Sequence, residues 1–266
     1  MVICHSHNLS YFYRFPFLPF PFQSVTRPAC IPRPRPAILR HDASRPAMNV
    51  HVPPKARLVI EVVHDLVCPW CYLGVQRLLR TLHRRPDIAT TLAWHPFLLN
   101  PDMPRLGMAR SDYVVRKFGG EERARRLYAS IAEIGRAEGL TFRFERIRRT
   151  PSSVDAHRLV RFAARDGRAD EMAMALFAAH FTEGLDIGDI FVLTALAGSA
   201  GLDMAAARDF LESDAEFDAI HAENLRAHRL GINGVPCFVL GGRHAIAGAQ
   251  EAEVIERLLD VALLDE

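Results

Sequence analysis

The chain has 266 residues, 49% of them hydrophobic, which is enough to bury a real core as one domain with an insertion or as two small domains. A net charge of +2 exerts no overall pull toward nucleic acid or membrane, and no apolar run approaches the roughly 20 residues that span a bilayer. Five cysteines (Cys4, Cys30, Cys68, Cys71 and Cys237) are too sparse, and odd in number, for the disulfide framework of a small secreted protein.

Residues 1–54 form a Pro/Arg/Phe-rich tail. Arg14, Arg27, Arg33, Arg35, Arg40 and Arg45 face a single acid, Asp42, across the first fifty positions. Prolines at 16, 19, 21, 28, 32, 34, 36 and 46 fix φ and remove donors, so neither a helix nor a central strand runs through this stretch. They also break the apolar run that a signal peptide needs. The composition predicts a disordered tail outside the fold, and translation starting at Met48 would place 1–47 outside the native protein.

"RLVIEVVHD" (57–65) is a short apolar, β-branched run and predicts a buried strand. Cys68 is followed by Pro69, a residue suited to the first turn of a helix, and Leu73, Leu78, Leu79 and Leu82 recur at helical spacing up to 85–86. "IATTLAWHPF" (88–97) predicts a second strand, making a β-α-β unit with a right-handed parallel crossover. From 111 to 230 the pattern is helical, with glycine stops at 119–120, 139, 167, 184 and 201. Within it, Ser152 reads as an N-cap with Asp155 three residues on, like a capping box. Two short β runs, 237–242 and 244–248, turn at Gly241 and Gly242, and an amphipathic helix closes the chain with Val254, Ile255, Leu258, Leu259 and Ala262 inward. The class is α/β. Removing the helical block leaves the order β-α-β, β-β-α of the thioredoxin fold, which divides the chain into 1–54, 55–107, an all-helical insertion at 108–230, and 231–266.

A Cys-x-x-Cys pair serves as a structural bridge, half of a metal site, or a reactive couple. Zinc needs two further ligands, and no second pair or close histidine pair supplies them. A bridge across two residues closes too short a loop to stabilise much. A sulfur at a helix N-terminus, by contrast, meets unpaired N–H groups and the positive end of the dipole, which favour thiolate. Cys68 therefore attacks, and Cys71, one turn further in, resolves. Val235 and Pro236, just before the third strand, suit a cis bond in a tight turn.

With "CPWCYLG" (68–74), "FLLNPDMP" (97–104), "DAHRLVRFA" (155–163), "LFAAHFTEGLDIGD" (176–189), "GINGVPCFV" (231–239) and "AIAGAQ" (245–250), the chain resembles the DsbA-like thioredoxin family over about 58–264. The likeness is to the FrnE-type subgroup, which shares its fold with 2-hydroxychromene-2-carboxylate isomerases and kappa-class glutathione transferases. The resemblance implies Cys68 as nucleophile, Cys71 as resolver and Pro236 in cis, in a loop lying against the reactive cysteine. Those isomerases and transferases usually carry serine at the position of Cys68, so a true dithiol points to disulfide exchange. Three departures are Ser152 in place of an asparagine, Ala247 in place of a serine, and Cys237 after the proline.

Pro69, Trp70, Val235 and Pro236 are expected to meet substrate. His64 and Asp65 are candidate proton-transfer groups for Cys71, or else core-edge polar residues. His157 and Arg158 start a helix that faces the site, or else lie on the surface. Cys237 reads as a core thiol rather than a third redox thiol. Lys117, Arg123, Arg125 and Arg126 make a basic helix face, solvated rather than phosphate-binding. The expected function is a cytoplasmic thiol:disulfide oxidoreductase acting on protein or small thiols and disulfides, as monomer or homodimer, with no metal and no resident cofactor. The rivals are a glutathione-dependent isomerase or transferase, with glutathione as co-substrate, and a redox-sensitive binding protein.

Overall fold

The computed structural model describes residues 56–264, so the expected tail at 1–54 lies outside the described residues. The central strand is β1 (Ala56–His64), paired in parallel with β2 (Ile88–Pro96) and antiparallel with β5 (Cys237–Leu240), which carries β6 (His244–Ala247) at its outer edge. Strand periodicity is visible in β1: Leu58, Ile60 and Val62 are sealed in the main core, whereas Val59 is 53% exposed on the other face. Registers such as Ile60 opposite Leu92 and Leu240 align these apolar positions across three strands.

Helix α1 (Pro69–His83) opens with Pro69 at its first position and packs against the closing helix α9 (Ala252–Leu264). Ile255, Leu259 and Ala262 point inward from α9, and Leu73 and Leu78 from α1. Gly74 matters to the site: a Cβ there would stand 2.8 Å from Pro236 Cγ and 3.2 Å from the Ala249 Cα, so only glycine lets the Val235–Pro236 loop seat on α1.

The insertion holds α2 (Arg110–Phe118), α3 (Glu121–Ala137), α4 (Val154–Ala164), α5 (Ala169–Ala178), α6 (Ile190–Ser199), α7 (Met204–Glu212) and α8 (Phe217–Arg229). Tyr72 on α1 stacks on Phe177 (5.4 Å) and meets Phe142 edge-on (5.7 Å), which joins the insertion to the sheet-bearing half through one continuous core.

Three local expectations are corrected. The insertion is not all helical, because β3 (Met108–Ala109) and β4 (Arg149–Thr150) form a two-stranded ladder. Gly107 makes it reachable: its φ of +66° and absent Cβ admit the Thr150 carbonyl, which a side chain would meet at 2.5 Å. Second, the cap of α4 is Ser153, not Ser152, and it makes no side-chain capping bond. Asp155 pairs with Arg158 at 2.6 Å instead of closing a box. Third, the β5–β6 connection takes three residues, 241–243, with Gly241 and Gly242 both at positive φ.

Candidate active site

The chain leaves β1 through a turn organised by Asp65. Its backbone carbonyl accepts from the Cys68 N–H (3.0 Å), and its carboxylate accepts from the Val67 N–H (3.3 Å) and the Leu99 N–H (2.7 Å). This turn delivers Cys68 in extended conformation to the N-cap of α1, and the N–H groups of Cys71 and Tyr72 point back to the Cys68 carbonyl. Cys68 Sγ lies 3.8 Å from the carbonyl oxygen of Val235, to which its thiol donates, and the Val235–Pro236 bond is cis.

Cys71 is fully buried beneath, its sulfur accepting from the Asp65 N–H at 3.5 Å. Both thiols are free. Burial, and then the neighbouring Cys68 sulfur, push the Cys71 thiol well above its ordinary range, so the inner sulfur stays protonated while the outer one is unreacted.

Pro69 and Trp70 are half-buried, and Trp70 rests against the main core. The polar residues below the pair are deeply enclosed. Burial alone would raise the Asp65 carboxyl, but His157, the Leu99 N–H and Ser153 outweigh it and hold the group below the usual carboxylate range. His157 Nε2 stands 3.7 Å from Asp65 Oδ1, an electrostatic contact longer than a hydrogen bond. His64 is packed edge-on between Trp94 and His157, both at 4.9 Å, with Nδ1 near the carbonyls of Val62 (3.2 Å) and His95 (3.1 Å). Burial and then His157 lower it to about 3, so it is a neutral packing ring at physiological pH.

The surface alternative for His157 and Arg158 is corrected: they are 2% and 0% exposed. Arg158 is a structural clamp, donating to the carbonyls of Phe210 (2.7 Å), Ser213 (2.7 Å) and Ala215 (2.7 Å) at the end of α7. Cys237 is buried with Val63, Phe97 and Ala227, on the sheet face opposite Phe238 and the Cys68–Cys71 pair, and burial raises its thiol. Of the basic helix face, Arg125 and Arg126 pair with Glu122, while Lys117 reaches back to the loop after β2.

Residue-by-residue reading missed that loop and its neighbours. Burial pushes the Tyr113 hydroxyl above its ordinary range, and Asn100 in that loop accepts from Lys117. His180, in a π-helical turn (Ala179–Glu183), is enclosed near Arg110 and Asp65 and lowered to about 4 by burial. The stretches holding Asn100 and His180, 97–104 and 176–189, stood out by resemblance, but only tertiary packing singles out the individual side chains. Among the described residues no group of three His, Cys, Asp or Glu side chains could hold a metal ion.

A family model described as a DSBA-like thioredoxin domain matches residues 59–260. A solved structure of a probable DsbA oxidoreductase from Streptomyces coelicolor is 29% identical, with a TM-score of 0.71, covering 79% of this chain and 91% of that one. A 2-hydroxychromene-2-carboxylate isomerase shares the fold at 17% identity and a TM-score of 0.61, covering 78% and 97% of the two chains. The disulfide reductase DsbM from Pseudomonas aeruginosa, described as cytosolic and solved with glutathione, shares it at 22% identity and a TM-score of 0.55, covering 77% and 99%.

Proposed function

The chain belongs to the DSBA-like thioredoxin domain family, and from that premise we propose that it is a thiol:disulfide oxidoreductase working through Cys68 and Cys71. The observation that carries the reading is the unlike placement of two free thiols, one at a helix N-cap beside the Val235 carbonyl and one sealed beneath it. The Cys68 thiolate attacks one sulfur of a substrate disulfide, the S–S bond breaks, and the leaving thiolate takes up a proton. Cys71 then loses its proton and attacks Cys68 Sγ, which releases the second substrate thiol. A Cys68–Cys71 disulfide remains, and two electrons have passed to the substrate. The reverse sequence oxidises a dithiol.

Pro69, Trp70, Val235 and Pro236 form the proposed substrate approach to Cys68, with the Val235 carbonyl facing its sulfur. The partners are thiol and disulfide compounds, glutathione among the candidate co-substrates, and the proposed compartment is the cytoplasm. Replacing the serine of the isomerase-type relatives by Cys68 favours exchange over glutathione-dependent isomerisation. Insulin reduction with dithiothreitol tests this directly. Cys68→Ser should abolish it, and Cys71→Ser should leave a trapped mixed disulfide on Cys68. Full activity in Cys68→Ser, or turnover that does not need Cys71, would hand the site to the isomerase reading.

A further inference from the structure

Arg77 lies on α1 three residues after Gly74, on the face that receives the Val235–Pro236 loop. It is 6% exposed, so its charge needs partners, and the guanidinium finds them on two other segments of the fold. Nε donates to Glu138 Oε1 (2.8 Å) at the end of α3, and Nη2 reaches both that oxygen (2.8 Å) and Glu251 Oε2 (2.9 Å). Nη1 donates to the backbone carbonyl of Ala249 (2.8 Å). A planar fork of fixed donors matches this set of acceptors, whereas a lysine ammonium would meet them as a single point charge.

Ala249 belongs to the segment 248–251, on which the loop beside Cys68 rests. The Gly248 N–H donates to the Pro236 carbonyl (2.7 Å), and a Cβ at Gly74 would meet both Pro236 Cγ (2.8 Å) and the Ala249 Cα (3.2 Å). Pro236 is thus held between α1 and this segment. Its neighbour Val235 supplies the carbonyl that accepts from the Cys68 thiol at 3.8 Å. Every link from Arg77 to the sulfur is a direct contact: Arg77 to Ala249, residues 248–249 to Pro236, and Val235 to Cys68 Sγ.

We propose that Arg77 is a positioning residue: by pinning the segment 248–251 to α1 and to the end of α3, it holds the Val235 carbonyl against Cys68 and so sets the reactivity of that sulfur. The proposal rests on the thiol:disulfide reading of Cys68. A carbonyl that accepts from the thiol stabilises the protonated form and opposes the thiolate. Releasing the segment draws that oxygen back and favours the thiolate. Loss of the Arg77 charge by itself acts with the opposite sign, because removing a cation disfavours a nearby anion. The direction of the effect therefore separates positioning from simple electrostatics.

Alkylation of Cys68 by iodoacetamide is followed against pH in the reduced full-length parent, Arg77→Met and Arg77→Lys, with mass spectrometry of the Cys68 peptide to separate it from the other thiols. Near-ultraviolet circular dichroism checks that each protein is native. Arg77→Met should move the profile to lower pH, with alkylation about threefold faster on its acid limb, as the loss of one weak hydrogen bond implies. Arg77→Lys, which keeps the charge and one donor for the Ala249 carbonyl, should lie between Arg77→Met and the parent. A profile for Arg77→Met that coincides with the parent's, or moves to higher pH, overturns the proposal. Where Arg77→Met is not native, the Arg77→Lys profile decides by the same criterion. Insulin reduction by the parent is measured alongside. Its absence overturns the exchange reading, and this proposal with it, whereas insulin reduction with unmoved profiles overturns the proposal alone.

Discussion

At the scale of single residues, the contrast between Cys68 and Asp65 shows what a local pattern conveys. The unlike positions of the two sulfurs, on which the proposed attacking and resolving roles rest, follow from helix geometry, because a two-residue spacing after a strand puts one sulfur at the N-cap and the next inside the first turn. Asp65 is different. Its carboxylate is defined by Leu99, 34 positions on, and by His157 and Ser153 from the insertion, so no window around residue 65 could reveal it. The structure makes it a buried joint between the CPWC turn, the loop after β2 and α4. Asp65→Asn removes the charge that faces His157 and turns one acceptor into a donor pointing at an N–H. Leaving a buried backbone donor unsatisfied costs about 1–3 kcal/mol. The variant should therefore unfold at lower urea and resolve mixed disulfides more slowly, since the Asp65 N–H that contacts Cys71 Sγ moves with the turn. Unchanged stability together with an unchanged resolution rate would remove Asp65 from the site.

Among elements, those with strong periodicity were readable and those made by long-range pairing were not. The strand at 57–65, the helix opened by Pro69 and the closing helix all emerge within a residue or two of their places. The β3–β4 ladder does not, because two residues pair with two others some forty positions away and neither stretch has a β pattern of its own. The cap of α4 falls one residue later than the sequence pattern suggests, at Ser153, whose side chain makes no capping bond and is among the groups that hold the Asp65 carboxyl down. Gly74 illustrates how an element positions chemistry. Inside a helix, glycine to alanine ordinarily stabilises by about 1 kcal/mol. Here the new Cβ meets Pro236 at 2.8 Å with the Ala249 backbone behind it, and overpacking of this kind costs about 1–3 kcal/mol. The clash equals or exceeds the gain, so Gly74→Ala should be neutral to destabilising, and Gly74→Val clearly destabilising. Both should slow disulfide exchange by moving the Val235 carbonyl away from Cys68 Sγ. A Gly74→Ala protein more stable than the parent and equally active would show that the loop yields freely.

For the whole molecule, the buried polar interior couples folding to pH. His64 and His180 are enclosed where the insertion meets the sheet, and burial lowers them from about 6.5 to about 3 and about 4. In the unfolded chain both rings take up protons below about 6.5, whereas the folded protein keeps them neutral. Their contribution is therefore complete above pH 6.5 and declines as the pH falls toward 4, by up to about 1.4 kcal/mol per pH unit for each ring. Asp65, held below its ordinary value, works in a different window. Its contribution is present above the usual carboxylate range and is lost only as the pH falls beneath it, so it does not offset the histidines between pH 6.5 and 4. Urea midpoints measured at pH 7, 6 and 5 should fall steeply and together for probes in the sheet and in the insertion, since one core spans both. His64→Gln removes one of the two titrating rings, so it should flatten the decline to roughly half whatever its stability at pH 7. A parent protein whose midpoint holds level from pH 7 to 5 would mean that water reaches these rings and that the seam between the two halves opens below the unfolding transition.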